Sequence, residues 1–267
     1  MLVTGSTDGI GRQTARSLAA RDVKVIVHGR SKVNVDSALA KLRDELPGGD
    51  LEGVAFDIGS QAAVRKGAAE LLERFPDLHV LVNNAGIFAN ERVVTDDGVE
   101  MTLAVNYLGP FLLTELLTPR LRDSAEDAPS RVICVASIAH TRGRIHLDDL
   151  QLKNGWTGYG AYAQSKLANV MHALSLAEIH RADEIVAYSL HPGVVDTKLL
   201  RLGFGPVQGA SVDAGAKTAV MLAGGIAVDA PSGSYFSDGV VTQPSAAARD
   251  EKVRAKLWEA SVRLVHL

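Results

Sequence analysis

Cysteine is almost absent from the sequence, because Cys134 is the one cysteine among 267 residues. A single cysteine excludes an intrachain disulfide. Its place in the apolar run RVICVAS predicts a buried core residue, which is the usual setting of an unpaired cysteine. We therefore expect a protein of the reducing cytoplasm.

Blocks of like charge and long hydrophobic runs are also missing. Lys and Arg together number 28 against 31 Asp and Glu, and the formal net charge is −3. With no basic cluster, nucleic acid is not an expected partner. No apolar run reaches the roughly 18 residues that a membrane-spanning helix needs. The opening MLVTGSTDGIG lacks the basic and then apolar order of a secretory signal, so no membrane anchor is expected.

The eight histidines form no metal-binding pattern. His140 and His146 flank a basic loop without the spacing of zinc ligands. We predict no metal site, and we assign both residues to a loop without a chemical role.

Strand-like and helix-like segments alternate along the chain. Short apolar runs such as VKVIVHG and RVICVAS have no helical period, whereas the stretches between them place apolar residues three or four positions apart. Buried strands separated by helices favour a mostly parallel sheet that is covered on both faces. Right-handed crossovers then give a doubly wound α/β sheet, the Rossmann-type fold.

Residues 1–267 are predicted to form one domain, because no linker, repeat or low-complexity tract divides the chain. Only Met1, Leu2 and Val3 precede the first turn, so the first strand is expected to be short. Helices are expected at 98–122, 158–181, about 213–224 and from about 245. Residues 196–212 are expected to be an irregular lid or substrate loop.

A glycine-rich turn, TGSTDGIG at 4–11, lies between the first strand and the first helix. Such glycines permit a tight turn and close approach of the backbone to a diphosphate, and the helix N-terminus supplies free N–H groups. The spacing G-x-x-x-G-x-G differs from the commoner G-x-G-x-x-G fingerprint, and an ordinary tight turn is the alternative. The candidates for cofactor binding here are Gly5, Ser6, Thr7, Asp8, Gly9, Ile10 and Gly11.

The end of the second strand, HGRS, indicates which dinucleotide binds. NAD-binding proteins usually hold the ribose 2′-hydroxyl with an acidic residue at this position. No acid lies between Lys24 and Ser31, and Arg30 stands at the tip of the strand. An arginine suits a 2′-phosphate through charge-assisted hydrogen bonds, so NADP(H) is predicted over NAD(H).

Tyr162 precedes Lys166 by four residues within a helix-like stretch. Side chains four apart lie on one helix face. A protonated lysine favours the phenolate, so the pKa of the tyrosine is expected to fall towards neutral pH. Tyr162 would then exchange protons with a substrate, although a half-exposed surface pair has the same spacing.

Seven motifs follow one another along nearly the whole chain. They are TGSTDGIG at 4–11, DI at 57–58, NNAG at 83–86, Asn106 in AVNYLGPF, Ser137 after VICVA, YAQSK at 162–166 and HPGVVDT at 191–197. With these motifs in this order, the sequence resembles a short-chain dehydrogenase/reductase. The resemblance implies hydride transfer between a nicotinamide and the carbon of a carbonyl or alcohol group.

Further features resemble the retinol dehydrogenase-like reductases. Ser137 and Tyr162 are 25 positions apart, a long gap for the family, and GRIHLDDLQ, SKLANV and the C-terminal sequence also match this subgroup. Its members are mostly NADP(H)-dependent, which agrees with Arg30. Many carry an N-terminal membrane anchor, and because this sequence has none, a soluble enzyme is implied.

The resemblance also implies roles for four catalytic residues. Tyr162 would be the general acid and base, and Ser137 would hold the substrate oxygen. Lys166 would lower the pKa of the tyrosine and bind the nicotinamide ribose, while Asn106 would help to hold a water in a proton relay. Further cofactor contacts would come from Asp57, Ile58, Asn84, Ala85, Gly86, Pro192, Gly193, Val195 and Thr197, together with Tyr162 and Lys166.

Two other functions stay open at this stage. A non-catalytic redox sensor or scaffold would need only the cofactor-binding half, and a reductase of carbon–carbon double bonds could use the same tyrosine and lysine. The apolar character of 196–212 favours a lipophilic or neutral small-molecule substrate. The resemblance further implies a possible homodimer that packs the helices around 98–122 and 158–181.

Overall fold

The computed structural model describes residues 1–225 and 228–267. Eight strands form one sheet in the order β3-β2-β1-β4-β5-β6-β7-β8. Among the described strands, the first seven pair in parallel and β8 pairs antiparallel with β7. The strands are β1 Leu2–Val3, β2 Val25–Gly29, β3 Leu51–Ala55, β4 Val80–Asn83, β5 Ser130–Val135, β6 Ile185–His191, β7 Tyr235–Ser237 and β8 Val240–Thr242. This confirms the doubly wound α/β fold.

Helices cover both faces of the sheet. They are α1 Gly9–Ala19, α2 Lys32–Glu45, α3 Gln61–Arg74, α4 Met101–Leu103, α5 Gly109–Asp123, α6 Gly158–Ile179, α7 Lys198–Phe204, α8 Val212–Gly224 and α9 Glu251–Val265. A π-helical turn, Ala104–Leu108, joins α4 to α5, and 3-10 turns occur at Ile138–Arg142 and Ala247–Arg249.

The strands are buried from both sides, which is why they are continuous apolar runs. Successive residues point to opposite faces, so Leu2 and Leu81 join the core on one side of the sheet. Their neighbours Val3 and Val82 join the core on the other side. The sheet therefore separates two hydrophobic cores.

The short first strand pairs on both sides despite its length. Leu2 and Val3 are fully buried between β2 and β4. Hydrogen bonds continue beyond them, because Met1 O accepts from Ile26 N at 2.8 Å and Thr4 N donates to Val82 O at 2.9 Å. The residues that flank this central strand thus extend its ladder.

Two expected elements differ in detail. The helix expected at 98–122 starts at Met101 and contains the π-helical turn. The hydrogen bonds of such a turn span five residues, one more than in an α-helix. The segment 196–212 is not wholly irregular, because Thr197 caps helix α7 by accepting from Leu200 N at 3.2 Å. A seven-residue helix with four apolar side chains is too short for its period to show in the sequence.

Helix α9 packs across the outer side of α5 and α6. Trp258 meets the ring of Phe111 edge-on, with 4.9 Å between ring centroids. Ser261 Oγ lies 2.8 Å from Tyr107 Oη, in a bond where either can donate. Arg254 at one end of α9 pairs with Glu178 on α6. Helix α9 therefore covers part of the outer side of α5 and α6.

Candidate active site

A cavity of about 1110 Å³ opens at the carboxyl ends of the parallel strands. β1 lies between β2 and β4, so the strand order reverses there, and such a switch point is where doubly wound folds bind ligands. The predicted site residues that line the cavity are Gly5, Thr7, Asp8, Gly9, Ile10, Gly11, Arg30, Asp57, Ile58, Asn84, Ala85, Gly86, Ser137, Tyr162, Lys166, Pro192, Gly193, Val195 and Thr197. Ser6 and Asn106 do not line it.

The glycine-rich turn requires its glycines. Gly5 and Gly9 have φ of +62° and +56°, a region that side chains with a Cβ rarely adopt. A Cβ on Gly11 would lie 2.3 Å from Asn84 Nδ2 and 2.4 Å from Gly5 O. The turn thus brings the start of α1 to the cavity wall, as a diphosphate cradle requires.

Ser6 supports this turn from behind rather than facing the cavity. It is fully buried, its hydroxyl donates to Val3 O at 2.7 Å, and it accepts from His28 N at 2.9 Å. His28 completes the support, because Nδ1 accepts from Gly5 N at 3.1 Å and Nε2 donates to Phe56 O at 3.1 Å. Sequence reasoning missed His28, although a lone histidine within VIVHG signals a buried polar group that needs partners.

Arg30 lies at the cavity edge, immediately after β2. Within 1–225 and 228–267 it has no ion-pair partner, unlike Lys32, which pairs with Asp36. Asp57, after β3, also lines the cavity, and its Oδ1 accepts from Gly59 N at 2.9 Å. An unpaired guanidinium at this edge is available to an anionic group of a ligand in the cavity.

An ion pair joins the glycine-rich turn to helix α7. Lys198 Nζ lies 2.6 Å from Asp8 Oδ2, and both groups are mostly exposed. The hydrogen bond from Lys198 lowers the pKa of Asp8 below its usual value. Asp8 also caps α1 by accepting from Gly9 N at 2.9 Å, so its carboxylate lies at the N-terminus of this helix, within the glycine-rich turn.

Lys198→Ala is expected to weaken dinucleotide binding by about three- to tenfold, because the cation is lost and the Asp8 carboxylate is left unpaired beside the cofactor's diphosphate. Adding Asp8→Asn should restore most of the affinity. Cofactor fluorescence titration of the two single variants and the double variant measures this coupling. Lys32→Ala is the control, since that lysine pairs elsewhere on the surface. Additive effects of the two changes would contradict the expectation.

Helix α6 carries Tyr162 and Lys166 on one buried face. Tyr162 is 6% exposed and Lys166 is 3% exposed. Lys166 Nζ donates to Val135 O at 2.9 Å and lies 5.6 Å from the centroid of the tyrosine ring. Ser137 follows β5, and its Oγ accepts from Ala139 N at 3.2 Å. The three side chains line one end of the cavity.

Burial decides the pKa values of this pair. It raises the pKa of Tyr162 to about 12, although a hydrogen bond with Ser137 acts in the opposite direction. Burial also lowers the pKa of Lys166 to about 8. The expected lowering of the tyrosine pKa by the lysine is absent here, because removal from water disfavours both charged forms and the Lys166 ammonium is bonded to Val135.

Asn106 lies behind the cavity in the π-helical turn. Its Nδ2 donates to Ile87 O and to Ser165 Oγ, both at 3.0 Å, and its Oδ1 accepts from Ile87 N at 2.8 Å. A Cβ on Gly86 would lie 3.5 Å from Asn106 Oδ1 and 3.4 Å from Lys166 Nζ. Asn106 therefore fastens the loop after β4 to α6, beside the lysine.

Comparison with known proteins places this arrangement in a family. Residues 1–202 match the family model of the short chain dehydrogenases. The chain belongs to this family. It is retinol dehydrogenase-like: it is 35% identical to human retinol dehydrogenase 12 over 99% of this chain and 85% of that protein. It is 38% identical to mouse polyprenol dehydrogenase over 98% of this chain and 82% of that protein.

A solved structure has the same fold. An uncharacterised protein from Mycobacterium paratuberculosis has a TM-score of 0.82 and 31% identity, over 99% of this chain and 92% of that one. Among the described helices of this dehydrogenase, none is long and apolar enough to cross a bilayer.

Aromatic rings lie around Tyr162 of the dehydrogenase. The ring centroid of Tyr162 lies 5.5 Å from that of Phe88 and 6.0 Å from that of Phe204. Phe204 belongs to α7, and a Cβ on its neighbour Gly203 would lie 2.6 Å from the Phe88 ring. Helix α7 thus packs tightly beside the ring of Tyr162. Sequence reasoning did not single out Phe88 or Phe204, because two phenylalanines far apart carry no local signal.

Proposed function

We propose that this short-chain dehydrogenase transfers a hydride between NADP(H) and the carbonyl or alcohol carbon of a lipophilic or neutral substrate. The observation that carries the proposal is the position of Tyr162. It lies in one cavity with the glycine-rich turn, next to Ser137 and Lys166 and beside an aromatic wall. When bound, the nicotinamide supplies or accepts the hydride.

The chain's own residues would hold the substrate and move its proton. Ser137 would donate a hydrogen bond to the substrate oxygen, and Tyr162 would exchange a proton with it. Lys166, with a pKa lowered to about 8, would keep a cation close to the developing charge at neutral pH. Burial of Tyr162 and Lys166 strengthens these electrostatic contributions.

Arg30 supports the choice of NADP(H). It lines the cavity at the end of β2, where the adenosine ribose would lie in a doubly wound fold. Two charge-assisted hydrogen bonds to a 2′-phosphate would distinguish NADPH from NADH.

The substrate end of the cavity supports an apolar substrate. Its apolar wall includes Leu199, Phe204 and Val207. The exposed fractions of Phe204 and Val207 are 38% and 46%, which is high for side chains of this size. A hydrocarbon chain would cover them. The names of the similar polyprenol and retinol dehydrogenases likewise denote apolar alcohols.

The direct test measures NADPH oxidation with nonanal, propanal and glyoxylate. We expect nonanal to have the highest kcat/KM, because each buried methylene contributes about 0.8 kcal/mol. Higher kcat/KM for glyoxylate would refute an apolar substrate. Binding of NADPH without turnover of any aldehyde would favour the sensor or scaffold. Product analysis on an enone separates reduction of the carbonyl from reduction of the double bond.

We also propose a cytoplasmic location, supported by the unpaired and buried Cys134. A homodimer through α5 and α6 is not part of the proposal, since α9 covers part of their outer side.

The wild-type protein is expected to contain no dimer through α5 and α6, which light scattering and cross-linking between these helices can test. Trp258→Ala removes the ring that packs on Phe111 and should cost about 3 kcal/mol of unfolding free energy. The loosened α9 would then expose apolar surface, so this variant should self-associate. Val33→Ala, at a 76% exposed site, is the control. Cross-links between α5 or α6 of two wild-type chains would contradict the expectation.

A further inference from the structure

His140 lies in the 3-10 turn that follows Ser137, where the sequence predicts a loop residue without a chemical role. Its side chain is 1% exposed. The ring packs against Tyr235 on β7, with 4.8 Å between centroids. The loop assignment is correct, but the side chain is a buried part of the structure.

Both ring nitrogens of His140 have partners. Nε2 lies 3.2 Å from Ser245 N, and a backbone N–H can only donate, so Nε2 is the acceptor. In the neutral ring the proton must then be on Nδ1. Nδ1 lies 2.8 Å from Ser137 O and donates to it. The two contacts together determine the tautomer.

Ser137 is therefore held at three points. Its carbonyl accepts from the ring of His140 and also from His140 N at 3.0 Å. Its Oγ accepts from Ala139 N at 3.2 Å, which leaves the hydroxyl hydrogen free to point towards Tyr162. That hydrogen is the one that the proposed function assigns to the substrate oxygen.

We propose that His140 is a positioning residue, which fixes the catalytic Ser137 by donating a hydrogen bond to its carbonyl from Nδ1, the nitrogen that the Ser245 N–H leaves protonated. This proposal rests on the proposed function. His140 touches neither the substrate nor the cofactor in it. Its effect is to keep the serine hydroxyl at hydrogen-bond distance from the tyrosine while the substrate binds, as preorganised catalysis requires.

The surroundings of His140 keep it neutral. Burial lowers its pKa, and the hydrogen bond to Ser137 opposes this. His191 on β6 and Asp238 after β7 are the nearby titratable groups, together with the Tyr235 ring; His191 interacts electrostatically with both His140 and Asp238. Protonation would place an N–H against the N–H of Ser245, which the present geometry cannot accommodate.

Three substitutions separate the contacts of His140. His140→Asn keeps a donor near the position of Nδ1, His140→Gln keeps an acceptor near the position of Nε2, and His140→Phe keeps only the ring packing. We expect the asparagine variant to retain kcat within about threefold. The other two should lose kcat by about tenfold or more, with the KM for NADPH nearly unchanged.

A purely structural role predicts a different pattern. The kcat of all three variants would then fall in the order of their melting temperatures, without rescue by asparagine, and this result would overturn the proposal. Should the phenylalanine variant fail to fold, the comparison of asparagine with glutamine is sufficient. The assay uses nonanal and NADPH at saturation.

A spectrum of ¹⁵N-histidine-labelled wild type tests the contact without any turnover. A neutral ring with the proton on Nδ1 is expected, and a proton on Nε2 would overturn the proposal. Absence of NADPH-dependent turnover in the wild type would instead refute the proposed function, with the tautomer still measured. The two failures are therefore distinguishable.

Discussion

Tyr162→Phe is expected to reduce NADPH-dependent turnover of nonanal by about a thousandfold or more. General acid–base catalysis contributes about 10²- to 10⁴-fold, and Tyr162 carries the one phenol that lies against both Ser137 and Lys166 among the described residues. Removing the hydroxyl leaves no group at that position to exchange a proton with the substrate oxygen.

The substitution should leave the rest of the site in place. The phenyl ring keeps its contacts with Phe88 and Phe204. NADPH affinity should stay within about threefold, and the melting temperature should change little, because burying one hydroxyl fewer has a small net effect. Single-turnover kinetics measures the rate of the chemical step, and cofactor titration measures the affinity for NADPH.

Tyr159→Phe is the matched control. Tyr159 also lines the cavity, three residues earlier on α6, but it is 38% exposed. We expect it to keep nearly full activity. Comparable losses in both variants would mean that the cavity needs tyrosine for packing rather than for proton transfer. An active Tyr162→Phe enzyme would remove the tyrosine from the mechanism.

Arg30→Asp is expected to weaken NADPH binding by about a hundredfold and to leave NADH binding nearly unchanged. The change removes charge-assisted hydrogen bonds, each worth about 1.5–3 kcal/mol, and adds a carboxylate that repels the 2′-phosphate. The same carboxylate can accept from the 2′-hydroxyl of NADH, as the acidic residue does in NAD-binding relatives of this fold. Fluorescence titrations with both cofactors measure the ratio.

Arg142→Asp controls for a general change of charge. Arg142 also lines the cavity, but it follows β5, three strands away from β2 in the sheet. Three strand spacings amount to about 14 Å, which is longer than the Debye length of about 8 Å at physiological salt. Equal losses of NADPH and NADH affinity in Arg30→Asp would indicate damage to the site. Unchanged NADPH affinity in Arg30→Asp would show that Arg30 does not cause the cofactor preference.

Much of the fold and of the cofactor site follows from short-range sequence pattern. The β-branched runs, the glycines of the first turn and the spacing of Tyr162 and Lys166 depend on neighbours a few positions apart. The periods of a strand and a helix are local properties, and glycine at a positive φ is a local requirement. The alternation of strands and helices was therefore sufficient to predict one doubly wound sheet.

Tertiary packing determines the burial and the hydrogen-bond partners of those residues. Burial, rather than the neighbouring lysine, dominates the pKa of Tyr162. Ser6 and Asn106 lie behind the cavity because their hydrogen bonds reach Val3, His28, Ile87 and Ser165. The tautomer of His140 depends on a hydrogen bond from Ser245 N, 105 positions later in the chain. Burial and long-range contacts of this kind depend on the whole folded chain, so the local pattern of residues does not predict them.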